Sequence, residues 1–142
     1  PENIRTAHAV EDFMSQTRIV IGRRSPQYDH DFKTLLTPFS EHLIWTTPET
    51  AEMAKHALNV YLALNITFAN EIARLARVVG ADPQEVTNAL LAERRVSPYA
   101  PLRSGPPIQG GHLGRDLAVL LKIAQDYDID IPVLAHIQES NQ

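Results

Sequence analysis

Residues 48–80 read PETAEMAKHALNVYLALNITFANEIARLARVVG, and this stretch decides the fold. Pro48 suits the first turn of a helix, and Thr46 and Glu49 have the spacing of a capping box. No further Gly or Pro occurs before Gly80, a residue typical of the position that follows a helix. The stretch therefore predicts one α-helix of about 31 residues, roughly 45 Å long.

The middle of this helix, residues 57–69, is apolar on nearly every side. It is shorter than the roughly 20 apolar residues that span a membrane. A helix that is apolar all round must be covered all round, and a chain of 142 residues is too small to enclose so long a rod. We therefore expect a homodimer formed through residues 48–79, and no membrane partner.

Two short β-branched runs in front of the long helix predict strands at residues 18–22 and 42–46. A short helix is expected before them, at 6–14. Between the strands, Ser25-Pro26 has the pattern of a helix start. The apolar side chains of that second helix should face inward: Phe32, Leu35 and Leu36. A unit of this size cannot enclose a core on its own.

Three further helices are predicted after the long one, at about 82–94 with Asp82 as N-cap, at 114–127 and from 131 onward. The second of them should turn four side chains inward: Leu117, Leu120, Leu121 and Ala124. Residues 97–111 hold four of the ten prolines and three of the six glycines, which predicts a long structured loop. The expected fold class is mainly α, a helical bundle around one long dimer-forming helix with a small strand–helix–strand remnant at the N-terminus.

The composition is that of an ordinary globular chain, with 44% hydrophobic and 21% charged residues. A net charge of −4 argues against a nucleic-acid partner. Because the chain has no cysteine, disulfides, thiolate zinc sites and a cysteine nucleophile are excluded. The six histidines lack metal-ligand spacing, so no metal site is expected. No secretory signal opens the chain, so we expect a cytoplasmic location, and the missing initial Met indicates a piece of a longer protein.

Three polar side chains share one face of the long helix: Glu52, Lys55 and Asn59. A lysine at the edge of an apolar region can act as an acid–base group, and a buried asparagine needs hydrogen-bond partners. The alternative is a solvated Lys55 beside Glu52 and a core Asn59 bonded to backbone. His56 is turned about 100° from Lys55 around the helix and is interpreted as structural.

The segment from Gly110 to Asp116 reads GGHLGRD. Its glycines allow a close approach of the backbone, and the N–H groups at a helix start can hold an anion or a polar ligand. In the alternative, Asp116 is only an acid in the first helical turn, where the helix dipole favours it. The spacing leaves both interpretations open. The sequence contains no G-x-G-x-x-G fingerprint of dinucleotide binding.

Taken together, these segments resemble the UDP-glucose/GDP-mannose dehydrogenase family, in family order and over nearly the whole chain. The matching segments are residues 1–5 (PENIR), 18–22 (RIVIG), 51–63 (AEMAKHALNVYLA), 70–71 (NE), 79–82 (VGAD) and 110–116 (GGHLGRD). The resemblance implies a central helical domain at 47–142, like the C-terminal domain of 6-phosphogluconate dehydrogenase. It also implies that residues 1–46 are the C-terminal edge of a preceding dinucleotide-binding domain.

Members of this family use NAD to oxidise a nucleotide-sugar alcohol twice, to a uronic acid, for polysaccharide biosynthesis. The resemblance therefore implies a UDP- or GDP-sugar substrate and NAD bound mainly by a domain outside this chain. It implies that Lys55 and Asn59 stabilise the negative charge on the reacting oxygen, and that Asp116 works with the lysine in proton transfer.

Four further residues receive roles from the same resemblance. Glu2 matches the acid involved in hydrolysing the covalent intermediate. Arg95 matches an arginine that reaches the partner subunit's substrate. Gly110 and Gly111 match the glycines of the substrate-binding loop.

The chain departs from the family at the catalytic nucleophile. The family loop reads G-G-x-C-x-P-x-D, whereas residues 110–116 are one residue shorter and place Leu113 where the cysteine belongs. A leucine cannot form the thiohemiacetal and thioester, so this route to the acid is closed. Two smaller departures are a loop before Gly110 that is one residue longer, and Thr6 in place of a second acid.

Two functional hypotheses follow. In the first, the longer protein is a nucleotide-sugar dehydrogenase homologue whose product stops at the aldehyde, or whose hydrated aldehyde is oxidised without covalent attachment. In the second, the domain is a non-catalytic dimerisation or nucleotide-sugar-binding scaffold. A helical adaptor with accidental similarity is a third interpretation, which the ordered matches disfavour. In every case we expect the isolated chain to be inactive.

Overall fold

The computed structural model describes residues 8–108 and 111–141. In this part, six α-helices accompany a two-stranded parallel sheet, which confirms the predicted mainly α fold class. In chain order the elements are α1 (Ala9–Met14), β1 (Ile19–Gly22), α2 (Asp29–Leu36), β2 (Leu43–Thr46), α3 (Pro48–Val78), α4 (Pro83–Ala92), α5 (Gly111–Asp126) and α6 (Pro132–Ser140). They form two compact units, Pro1–Lys55 and His56–Gln142.

The first unit contains the sheet, and both predicted strands are present. Ile19 lies opposite Leu43 and Gly22 opposite Thr46 in parallel register. The predicted helix start at Ser25 is a short 3-10 turn, Pro26–Tyr28, that leads into α2.

The predicted burial of α2 is wrong for two of its three apolar residues. Phe32 and Leu35 are exposed, and only Leu36 is half-buried. The described sheet has two strands of four residues each, so it offers too little apolar surface to cover the helix.

Helix α3 has the predicted length of 31 residues, with one change at its start. The capping residue is Thr47, whose Oγ1 accepts from the backbone N–H of Thr50 at 3.3 Å, and not Thr46 as predicted. At the other end, Gly80 has φ +77°, and the N–H of Ala81 donates to the carbonyl of Ala76 at 2.9 Å. This is a Schellman ending, in which Gly at the left-handed position stops the helix.

The second unit has a core between α3, α5 and α6. Its buried members are Val60, Ala63, Leu117, Leu120 and Ile137. The inward face predicted for α5 is confirmed, because Leu117, Leu120 and Ala124 are buried and Leu121 packs half-buried against the core. The predicted N-cap of α4 is also confirmed, since Asp82 Oδ1 accepts from the N–H of Gln84 at 2.7 Å.

Residues 97–108 of the predicted loop are held by side chains from α3 and α4 and by Asn141, the residue that follows α6. Thr87 donates to the carbonyl of Leu102, and Asn70 accepts from the N–H of Gly105 at 2.8 Å. Asn141 bonds both the N–H and the carbonyl of Ile108. This part of the loop is therefore structured, as predicted. Helix α5 follows from residue 111, three residues before its predicted start.

No helix in the described part of the chain is long and apolar enough to cross a membrane.

Candidate functional site

Asp116 lies at the centre of the candidate site and is only 1% exposed. It is the sixth residue of α5, whose first turn contains no acid. The interpretation of Asp116 as a first-turn acid favoured by the helix dipole is therefore wrong. Its neighbour Leu117 packs into the core, which fixes the direction of this part of α5. A buried carboxylate must be hydrogen-bonded or ion-paired, so its partners define the site.

Asn59 provides the shortest of the described contacts with this carboxylate. Its Nδ2 donates to Asp116 Oδ2 at 2.5 Å, although 57 residues separate the two in sequence. Asn59 is itself buried, at 7% exposure. A hydrogen bond to an ionised acceptor is shorter and stronger than one between neutral groups. Asn59 is therefore bonded to a side-chain carboxylate, and not to backbone as the alternative had it.

Two further cationic or ionisable side chains approach the other carboxylate oxygen. Arg115 Nε lies 3.4 Å from Asp116 Oδ1, and His56 Nδ1 lies 3.5 Å from the same atom. His56 was interpreted as structural because its side chain is turned away from Lys55, and its place beside Asp116 was not predicted. The spacing from His56 to Asn59 is three residues, which places both on the same side of α3 and was the available signal.

Lys55 lies one helical turn before Asn59 on α3, so the two side chains project from one face of the helix. It is half-buried and belongs to the first compact unit. There it lines a cavity of about 250 Å³ together with Trp45 and Thr46.

The remaining predicted site residues have different surroundings. Arg95 is largely exposed, and its Nε donates to Glu93 Oε1 at 3.0 Å. The backbone N–H of Arg95 donates to the same oxygen at 3.2 Å. Together the two hydrogen bonds hold the pKa of Glu93 below its usual 4.5. Gly111 opens α5 at φ +65°, a conformation that favours glycine. Glu2 and Gly110 lie outside the described residues.

Leu113 is the residue that the family resemblance predicts in place of the cysteine nucleophile. It is half-buried and packs against the core of the second unit. It also lines a cavity of about 190 Å³ with Ala63 and Ile108. The side chain is therefore an anchor for the start of α5.

The described fold is mainly helical, and its long helix α3 brings Asn59 to the buried Asp116 of α5. The fold is shared with a solved UDP-glucose dehydrogenase from Pyrobaculum islandicum, with a TM-score of 0.92 and 27% identity over 99% of this chain and 32% of that one. The chain belongs to the UDP-glucose/GDP-mannose dehydrogenase family, and residues 49–142 match the family's central domain.

Curated relatives agree with this assignment. The chain is 30% identical over its whole length to a UDP-glucose 6-dehydrogenase from Rickettsia typhi, covering 33% of that protein. It is 32% identical over 99% of its length to a GDP-mannose 6-dehydrogenase from Pseudomonas aeruginosa, again covering 33%. The chain thus spans about a third of the length of the curated relatives it matches.

Proposed function

We propose that this chain is the central domain of an NAD-dependent dehydrogenase that oxidises the primary alcohol of a UDP- or GDP-linked sugar. The observation that carries the proposal is the bond between Asn59 and the buried Asp116. It places an amide donor and a carboxylate together where α3 and α5 meet. The relatives named as UDP-glucose and GDP-mannose 6-dehydrogenases give the substrate class.

Oxidation of an alcohol by hydride transfer requires two functions from these residues. As hydride leaves the alcohol carbon, the hydroxyl proton must be taken up and the charge on the oxygen must be stabilised. We assign the second task to the Lys55 ammonium and the Asn59 amide. We assign proton transfer to Asp116, whose 1% exposure keeps it away from bulk water.

NAD supplies the hydride acceptor when it is bound. The full sequence has no glycine-rich strand-to-helix turn for a pyrophosphate, so no residue of this chain is assigned to the dinucleotide. The polar groups around Asp116 suit the other half of the reaction, in which the hydroxyl proton is taken up and the negative charge on the oxygen is stabilised.

We also propose that the protein is a homodimer through α3. Large apolar side chains recur at seven-residue intervals along the outside of this helix: Tyr61, Phe68 and Leu75. They are 52%, 43% and 60% exposed. Such a stripe supports a second copy as its partner, because a seven-residue repeat is the pattern of helices that pack along one another.

A non-catalytic scaffold is the second candidate, and Leu113 is the observation in its favour. A residue packed against the core cannot replace a nucleophile. A protein that only dimerises or binds nucleotide sugars would tolerate this change.

The test uses the full-length protein, NAD and a panel of UDP- and GDP-sugars, with NADH formation as the readout. We expect NADH with at least one sugar, and a loss of about a hundredfold or more in Lys55→Ala. Lys33→Ala, an exposed lysine on α2, is the control and should keep wild-type turnover. No NADH with any sugar, or full activity in Lys55→Ala, would favour the scaffold.

A further inference from the structure

The side chain of His56 has an unusual place beside Asp116. Its Nδ1 is buried and makes no hydrogen bond in the described structure, while it faces Asp116 Oδ1 at 3.5 Å, an ion-pair distance. The side chain as a whole is 28% exposed. The imidazole therefore connects a buried carboxylate with solvent.

The contact determines which nitrogen carries the proton. A bare Nδ1 would point its lone pair at the lone pairs of the carboxylate, which is repulsive. With a hydrogen on Nδ1 the same approach is attractive, and a small movement closes it to a hydrogen bond. In the neutral ring the lone pair is then on Nε2, on the side away from Asp116.

We propose that His56, oriented by Asp116, is a general base for the oxidation of a hydrated aldehyde to the carboxylic acid. The proposal rests on the proposed function, because it concerns the step that follows oxidation of the alcohol. With a base at His56, the second oxidation does not need a cysteine nucleophile. His56 becomes a catalytic residue of the second oxidation only.

The step balances without a covalent intermediate. Water adds to the aldehyde carbonyl by forming one carbon–oxygen bond, which gives a geminal diol. Hydride then leaves the carbon with its electron pair for NAD⁺, the second oxidant equivalent, while Nε2 of His56 takes the proton of one hydroxyl. The carbon becomes a carboxylic acid, and the exposed side of the ring passes the proton to solvent.

The position of His56 supports this role. His56 and Asn59 lie three residues apart on α3 and contact different oxygens of the same carboxylate. Because the His56 side chain is 28% exposed, a geminal diol can reach Nε2 from the solvent side of the ring. Asp116 faces the ring, and Arg115 Nε lies 3.4 Å from the same carboxylate oxygen that His56 Nδ1 approaches.

The decisive variant is His56→Asn in the full-length protein. The asparagine Nδ2 replaces the Nδ1–H donor toward Asp116 but provides no base. His136→Asn, at an exposed position on α6, is the control. NADH formed per sugar is counted, and aldehyde is trapped with hydroxylamine as the oxime and identified by mass spectrometry.

For the wild type and the control we expect two NADH per sugar and the uronic acid. For His56→Asn we expect one NADH per sugar, trapped aldehyde, and a second step slowed by about a hundredfold or more. In His56→Ala, added imidazole should restore part of the second NADH.

Several results would overturn the inference. One is two NADH per sugar in His56→Asn at wild-type rates; another is equal loss of both steps, which would make His56 a positioning residue for Asp116. A wild type that stops at one NADH would also overturn it and would leave the proposed function intact. A wild type that forms no NADH would refute the proposed function itself.

A readout without cofactor completes the test. In protein labelled with [¹⁵N]histidine, NMR should find His56 with hydrogen on Nδ1 and a bare Nε2 when neutral, and Asp116→Asn should remove this preference. The opposite tautomer in the wild type would contradict the inference.

Discussion

Two features of α3 depart from the usual distribution of residues on a surface helix. Its buried side carries polar groups, Asn59 and Thr67, among small residues such as Ala63. Its exposed side carries Tyr61 and Phe68. An ordinary surface helix buries its large apolar residues and exposes its polar ones.

The buried Asn59 and the exposed aromatic residues indicate roles beyond folding. A buried polar group needs a partner, and Asn59 has Asp116, whereas Thr67 Oγ1 has none among the described hydrogen bonds. Large apolar groups stay exposed where a partner covers them. The buried side therefore carries the candidate site, and the exposed side carries the dimer surface we propose.

The largest effect should come from Asp116→Asn, which removes the charge at the buried side and keeps its shape. We expect turnover of the full-length protein to fall by about a hundred- to ten-thousandfold, because the proton acceptor is lost. Asp126→Asn, an exposed acid on the same helix, should retain activity. Steady-state NADH formation checks both, and less than a tenfold loss in Asp116→Asn would break the assignment.

A charge on the exposed side should separate the subunits. Phe68→Glu places a carboxylate within the apolar stripe, so we expect sedimentation to change from dimer to monomer. Val133→Glu alters an equally exposed apolar residue of α6 and should leave the dimer intact. A dimer that survives Phe68→Glu would contradict the proposed interface.

Shortening a buried valine should cost more stability than shortening an exposed one. Val60→Ala deletes two methyl groups from the core, and we expect a loss of about 2 kcal/mol in the free energy of unfolding. Val133→Ala makes the same change at the surface and should cost less than about 0.5 kcal/mol. Urea unfolding measures the pair, and equal losses would contradict the assigned core.

The smallest effect concerns the exposed pair of Glu93 and Arg95, the surface counterpart of the Asp116 cluster. Hydrogen bonds from Arg95 lower the pKa of Glu93, so the pair stabilises the fold above about pH 4.5 and loses this contribution as the pH falls through the lowered pKa. In Arg95→Gln the pKa of Glu93 should rise toward 4.5. NMR titration measures the pKa of Glu93. An unchanged value in Arg95→Gln would show that the Arg95 side chain does not lower this pKa.

Residues that start and stop helices made the long helix predictable from sequence alone. Pro48 and Gly80 mark its ends, and the observed helix has the predicted 31 residues. The predicted N-cap was wrong by one residue, because the side chains of Thr46 and Thr47 are both suited to the N-cap position. The orientation of α2 failed for another reason: amphipathic spacing shows which side prefers burial, but not whether enough surface exists to cover it.

The site was predictable only through the family resemblance. No local pattern connects Asn59 with Asp116, because their contact depends on how α3 and α5 pack. Spacing alone left Asp116 undecided between a site residue and a helix-dipole acid. His56 was not predicted as a site residue because its partner, Asp116, lies 60 residues further along the chain.

A structure of the full-length protein with a bound nucleotide sugar tests the central claim most directly. We predict that the reacting hydroxyl oxygen lies within about 3.2 Å of Lys55 Nζ and of Asn59 Nδ2. A sugar whose hydroxyl is bound elsewhere, with Lys55 and Asn59 out of hydrogen-bond reach, would contradict it.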